Sequence, residues 1–283
     1  MLLVTNKRTL DLSEVQIMGI LNVSPDSFFD GGRYCTLSKA IDHAFAMITY
    51  GATFIDVGGE STRPGADIIT DEEEAERVIP VVRAIAQRFD IFISINTSSA
   101  LIIRESAVIG AHLINDVRSL TNEGAMQAAL YCRLPVCLMH MQGQPKTMQN
   151  FPTYSNIIIE VNEYFKQQIV RFESAGISKD RLLLDPGFGF GKNLTHNYQL
   201  LANLKYFHHF GVPLLVGISR KSMLNISCNH DNPQQRLIGS IACAVIAAMQ
   251  GVQIIRVHDV KETAEALNVV QTMLKQQKNK EKD

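Results

Sequence analysis

The sequence has no CxxC pair, no run of about 18 apolar residues that would cross a bilayer, and no surplus of one charge. Its 27 Lys and Arg stand against 28 Asp and Glu. Balanced charge removes the electrostatic footprint of a nucleic-acid or membrane-surface partner, so neither is expected and any anionic ligand must be held by a local cluster. The opening stretch MLLVTNKRTLDLSEV mixes charge early and lacks an apolar core of signal-peptide length. The cysteines (Cys35, Cys132, Cys137, Cys228, Cys243) are odd in number and scattered, which reads as reduced, buried thiols in a cytoplasmic protein. Also missing are GxSxG, HExxH and a cysteine beside an activating base. The chemistry expected is therefore not that of a serine hydrolase, a zinc protease or a thiol enzyme.

What is present is apolar sequence in short, regular pulses. At 46% hydrophobic and 19% charged, 283 residues can bury a substantial core. Eight β-type runs recur, each ending in a polar or glycine-bearing loop: VQIMGILN, TFIDVGGE, IFISIN, HLINDV, LPVCLMH, RLLLD, VPLLVGIS and VQIIRVHD. Helical patterns separate them. Ser38 is the expected cap of KAIDHAFAMITY, closed by Gly51; Thr70 with Glu73 forms a capping box; RLIGSIACAVIAAMQ ends at Gly251; and NYQLLANLKYFHHF reads as one barrel helix. Continuous apolar strands alternating with helices predict a parallel sheet covered by helices. Eight of them in about 250 residues predict a closed (β/α)8 TIM barrel rather than an open sheet. Residues 1–283 are expected to form one domain, with the polar tail from about Lys275 frayed.

In such a barrel the site lies where the carboxyl ends of the strands converge. Asn22, Asn96, Asn115, Asp185, Lys221, Arg256 and His258 fall at those ends, on different strands. Any one of them could merely cap a helix or tie a loop, and His258 could be a satisfied core histidine; all seven doing so is not expected. Fixed amides and one carboxylate suit a flat heterocycle with alternating N–H and carbonyl groups, and Asp185 can accept two parallel bonds from a 2-amino-pyrimidinone edge.

The stretch LLLDPGFGFGKN resembles a phosphate cradle but is not one. It has one residue too few between outer glycine and lysine for a Walker A loop, and Asn193 stands where Ser or Thr would bind magnesium. Nor does it have the spacing or placement of the dinucleotide fingerprint. Its glycines are expected to allow an unusual path that brings Phe190 over a ligand. Two further loops, NVSPDSFFDGG and GGESTRPGAD, have the composition of lids. Arg63, Arg256 and His258 with Asn22 are suited to a diphosphate, and Asn22 is the candidate carbonyl ligand for a bridging Mg2+.

Together MGILNVSPDSFFDGG, GATFIDVGGESTRPGA, PVCLMHMQGQPKTMQ, LLLDPGFGFGKN, LLVGISRKSML and IIRVHDVKET closely resemble the dihydropteroate synthase family over nearly the whole chain. The resemblance implies a (β/α)8 homodimer of the folate pathway. Its substrates would be 6-hydroxymethyl-7,8-dihydropterin diphosphate and p-aminobenzoate, its products dihydropteroate and pyrophosphate. Carried onto matching positions, it implies that Asn115, Asp185 and Lys221 hold the pterin, with Asn96 beside them and Met139, Phe190 and Arg256 lining its faces. It gives Asn22, Arg63, Arg256 and His258 the diphosphate with Mg2+. The same carry-over implies that Phe28, Thr62, Arg63, Pro64, Phe190 and Ser222 frame the p-aminobenzoate site, where sulfonamides also bind in this family.

Asn96 departs from the pattern, which has aspartate there. An amide keeps hydrogen bonds but loses charge stabilisation of a developing cation, so binding is expected to survive better than turnover. Two other readings stand beside the synthase. A pterin-binding methyltransferase using methyltetrahydrofolate would share the pterin pocket without needing STRPG or SRKS, and a weakly active or non-catalytic pterin-binding paralogue is the reading that Asn96 raises.

Overall fold

The computed structural model describes residues 1–6, 8–23, 32–60, 69–143, 147–149, 151–227 and 232–280. The chain opens with an antiparallel hairpin, β1 (Leu2–Val4) and β2 (Thr9–Asp11). Eight parallel strands follow: β3 (Gln16–Asn22), β4 (Phe54–Gly58), β5 (Phe92–Asn96), β6 (Leu113–Asp116), β7 (Val136–Met139), β8 (Leu182–Asp185), β9 (Leu215–Val216) and β10 (Ile254–Val257). They are hydrogen-bonded in the order β8-β7-β6-β5-β4-β3-β10-β9, and a parallel bridge between Leu184 and Leu214 joins the two ends. The result is the expected (β/α)8 barrel. Its helices are α1 (Gly32–Thr49), α2 (Asp71–Arg88), α3 (Ala100–Ile109), α4 (Ala125–Cys132), α5 (Ile157–Ser174), α6 (Leu194–Ala202), α7 (Leu237–Met249) and α8 (Val260–Lys280).

The strand period of two explains the interior. Each strand gives one side chain to an apolar floor: Met18, Phe54, Phe92, Leu113, Cys137, Leu183, Leu215 and Ile254. Leu3 and Leu12 of the hairpin region pack against this layer from below. Each fully buried large side chain contributes about 1.5–3 kcal/mol. Counting two residues up from the floor reaches Asp56, Ser94, Asn115, Met139, Asp185 and Arg256. Alternation alone therefore places a polar layer above an apolar one. Cys137 belongs to the floor, and burial raises its thiol pKa well above the ordinary range, so it is packing and not a nucleophile.

The outer face of the sheet packs on the helices through one large aliphatic cluster. The capping box at α2 forms as expected: Thr70 Oγ1 accepts from Glu73 N at 3.2 Å and Glu73 Oε2 accepts from Thr70 N at 3.0 Å. Two local expectations are corrected. Ser38 lies inside α1, which begins at Gly32, because nothing between Gly32 and Ser38 breaks a helix. The expected single helix NYQLLANLKYFHHF breaks at Asn203, whose side chain donates to the Gln199 carbonyl at 2.8 Å; a 3-10 segment, Leu204–Phe210, follows. The polar tail is helical as far as Lys280.

Candidate active site

The polar layer has two centres. The first is Asp56, with 0% exposure, in the middle of β4. It accepts from four donors on three other strands. Ser94 Oγ donates at 2.6 Å, Asn115 Nδ2 lies 3.3 Å from both carboxylate oxygens, Asn96 Nδ2 donates at 3.5 Å and Arg256 Nε at 2.6 Å. A carboxylate is the one side chain that can accept from all four without offering a competing N–H. Its charge also compensates the partly buried Arg256 guanidinium. Register sets the level of the mouth, since Asn22, Gly58 and Asn96 are direct neighbours across β3, β4 and β5. Gly58 is small where it must be, because a Cβ there would press on the Asn96 side chain at 3.3 Å.

The second centre is Asp185, the last residue of β8, at 7% exposure. One of its oxygens accepts the Gly187 N–H at 2.8 Å. Burial raises its pKa, opposed by Lys221, by the Gly187 bond and by Lys192 and Arg256. Lys221 donates to the Phe188 carbonyl and stands over the Phe190 ring, 4.6 Å from its centroid. Burial drives the Lys221 pKa down to about 8, against the attraction of Asp185 and with some help from Arg256. The sign of the pH effect follows: the ammonium is present below about pH 8 and is lost as pH rises through that value. Affinity for the dihydropterin that the resemblance implies should therefore decline between pH 7 and 9, a decline absent from Lys221→Met and measurable by titration at fixed ionic strength. An identical decline in the Met variant would refute this.

The remaining candidates are distributed as follows. His258 Nδ1 is 3.0 Å from Ser219 Oγ, and the His258 N–H donates to the same hydroxyl at 3.1 Å, so this half-buried ring is held at the rim. Asn22 is half-buried at the end of β3. The Met139 side chain is buried, and its carbonyl is fixed by Ser119 Oγ and Tyr164 Oη at 2.9 and 3.0 Å. Ser222 is exposed at the start of a 3-10 turn, Ser222–Ser227, next to Lys221. Phe28, Thr62, Arg63 and Pro64 lie outside the described residues. Glu60, at the base of the second loop, pairs with Arg118 through contacts of 2.8 and 2.9 Å.

Asp56 is not among the residues the strand-end pattern selects, because it lies mid-strand; only its parity with Phe54 and Gly58 points inward. The pair Arg220–Asp259 is a second addition. Arg220 takes a φ of 59° in the SRKS turn and its Nε donates to Asp259 Oδ2 at 3.0 Å, tying the Lys221 turn to the end of β10. Among the described residues no group of three or more His, Cys, Asp or Glu could hold a metal ion. An Mg2+ held by Asn22 would therefore need its other oxygen ligands from phosphate and water. None of the described helices is long and apolar enough to cross a membrane.

Known proteins match both the sequence and this fold. A family model described as pterin binding enzyme covers residues 18–258. The dihydropteroate synthase of Escherichia coli (strain K12) is 63% identical over 272 residues, 96% of either chain. The structure of Yersinia pestis dihydropteroate synthase in a sulfonamide drug complex is 60% identical, with a TM-score of 0.93 over 97% of this chain and 100% of that one. That of the Xanthomonas albilineans synthase with 4-aminobenzoic acid is 42% identical, with a TM-score of 0.91 over 96% and 98%. By the family model over residues 18–258 and these identities over nearly the full chain, the chain belongs to the dihydropteroate synthase family of pterin-binding enzymes.

Proposed function

We propose that the ring centred on Asp56 and Asp185 binds 6-hydroxymethyl-7,8-dihydropterin diphosphate and transfers its pterinylmethyl group to p-aminobenzoate, giving dihydropteroate and pyrophosphate. The observation that carries this reading is the convergence of Asn96, Asn115 and Arg256 on one buried carboxylate beside Asp185 and Lys221. Asp185 accepts from the 2-amino edge of the pterin, while Asn115 and Lys221 meet its other polar atoms. The bond from the methylene carbon to the diphosphate oxygen breaks, its electron pair leaving with diphosphate, and the cation spreads over the electron-rich ring. The arylamine nitrogen then forms the new C–N bond and loses a proton. Such a reaction requires leaving-group stabilisation and a preorganised polar pocket, not a protein nucleophile.

Arg256, held by Asp56, together with His258, Asn22 and Arg63, takes the diphosphate. Asn22 would hold Mg2+ through its side-chain carbonyl, and the ion would supply neutralisation of diphosphate charge. Phe28, Thr62, Arg63, Pro64, Phe190 and Ser222 frame the arylamine. A homodimer is part of the proposal, supported by the exposure of Ile238, Ile246 and Met249 on α7. So is cytoplasmic residence, supported by the unpaired thiols of Cys132, Cys137 and Cys243. Mixing the chain with both substrates and Mg2+ should release pyrophosphate and dihydropteroate in equal amounts. Absence of either product would reject the synthase reading, and a methyltransferase would give neither.

Asn96 places a neutral amide against Asp56 where the family pattern has a second acid. Asn96→Asp should raise turnover, through charge stabilisation of the cation, with little change in pterin affinity. Burial and the neighbouring Asp56 would raise the pKa of the new carboxyl. The gain should therefore be full at high pH and fade as pH falls through that raised pKa. Side-by-side assays giving equal or lower turnover at every pH would discard this idea.

A further inference from the structure

The 187–191 loop has every one of its five carbonyl groups assigned to a side-chain donor. Tyr154 Oη donates to Gly191 O at 2.8 Å, Gln149 Nε2 to Gly189 O and Lys221 Nζ to Phe188 O. The carbonyls of Gly187 and Phe190 both belong to Lys192, at 2.8 and 3.0 Å from Nζ. The same ammonium also donates to the His140 carbonyl at 3.2 Å and lies 2.9 Å from His140 Nδ1. Lys192 is 2% exposed, so a glycine-rich turn that looks built for phosphate wraps a cation supplied by the chain itself. Gly187 and Gly191 take φ values of 70° and 62°, and a Cβ on either would overlap the backbone of His140 or Gln142. The loop thus lies flat against the end of β7.

We infer that Lys192 is a positioning residue of this active site: its ammonium, cradled by three carbonyl oxygens and one imidazole nitrogen, fixes the loop path that places Asp185 and the Phe190 ring. The linkage is short. The Gly187 N–H donates to Asp185 Oδ1 and the Gly187 carbonyl accepts from Lys192; the Phe190 carbonyl accepts from Lys192 and its ring lies under Lys221. An ammonium placed here finds an acceptor for each of its three N–H donors among these four atoms. His140 complements it as a neutral ring accepting at Nδ1. Burial and the Lys192 charge hold the His140 pKa down to about 2, while burial also lowers that of Lys192 against the pull of Asp185. Arginine could not substitute, because its planar fork does not fit a compact cradle.

This inference rests on the pterin reading, and one titration series separates the two. The dissociation constant of a dihydropterin is measured for the unaltered protein and for Lys192→Ala, alone and with 1-propylammonium, which replaces the deleted three-carbon ammonium arm. 1-Propanol and sodium chloride serve as controls. The Ala variant should bind the pterin about tenfold or more weakly, and propylammonium, but neither control, should restore affinity several-fold. Unchanged affinity in folded Lys192→Ala, or a loss that propylammonium does not relieve, overturns the role of Lys192 and leaves the pterin reading intact. Failure of the unaltered protein to bind overturns both. If the Ala variant does not fold, Lys192→Met, which fills the volume without charge, replaces it, and native affinity there is fatal to the proposal. Unfolding of both variants also counts against it, by making Lys192 a determinant of the fold rather than of the loop.

Discussion

Asp185→Asn should lower pterin affinity by about 10²- to 10³-fold, corresponding to the loss of roughly 3–4 kcal/mol in two charge-assisted hydrogen bonds. One Asp185 oxygen is committed to the Gly187 N–H. In the Asn variant the amide oxygen keeps that bond, which turns the NH2 group toward the donors of the 2-amino edge, so N–H faces N–H in a buried site. A second effect has the same sign. Asp185 raises the Lys221 pKa against burial, and without that charge a smaller share of Lys221 is protonated at neutral pH. Calorimetric titration with a dihydropterin measures the loss, and circular dichroism checks that the variant folds. Affinity within about threefold of the unaltered protein would remove Asp185 from its assigned role.

Asp56→Asn should be nearly as damaging to turnover and worse for stability. Four donors converge on the Asp56 carboxylate. An amide accepts with one atom and opposes the rest with its own N–H groups, and Arg256 loses the charge that compensates its burial. Removing one partner of a buried ion pair costs about 3–5 kcal/mol. Arg256 keeps 20% exposure, which places the expected loss near the lower end, at about 3 kcal/mol, readable from urea unfolding at pH 7. The value of kcat/KM should fall by about 10²-fold, because Arg256 is proposed both to border the pterin and to reach the diphosphate. The double variant Asp56→Asn, Asn96→Asp returns a carboxylate to the same cluster and should recover part of both losses. A double variant no better than the product of the two single effects would show that position 96 cannot stand in for position 56.

Much of this site was legible because the barrel interior obeys a period of two. Asn115, Asp185 and Arg256 stand one step above floor residues Leu113, Leu183 and Ile254, so a run of strands ending in polar residues already describes a polar layer above an apolar one. The same parity contains Asp56, yet a search confined to strand ends passes over it. Its importance comes from four donors on β5, β6 and β10, a tertiary fact that no local pattern carries. Lys192 is similar: spacing excludes a Walker loop but does not reveal that the lysine folds back into its own glycines. The break at Asn203 and the early start of α1 reflect backbone competition and the absence of a stop signal, which helix periodicity does not weigh. The hairpin under the barrel is legible only once Leu3 and Leu12 are seen against the floor.

A crystal structure of the chain soaked with a 7,8-dihydropterin tests the whole arrangement most directly. The pterin should lie over Met139 with its 2-amino edge on Asp185 and with Asn115 and Lys221 in hydrogen-bonding reach of the same ring. A pterin bound elsewhere, or one whose amino edge faces away from Asp185, would contradict the ring of side chains on which the proposed chemistry depends.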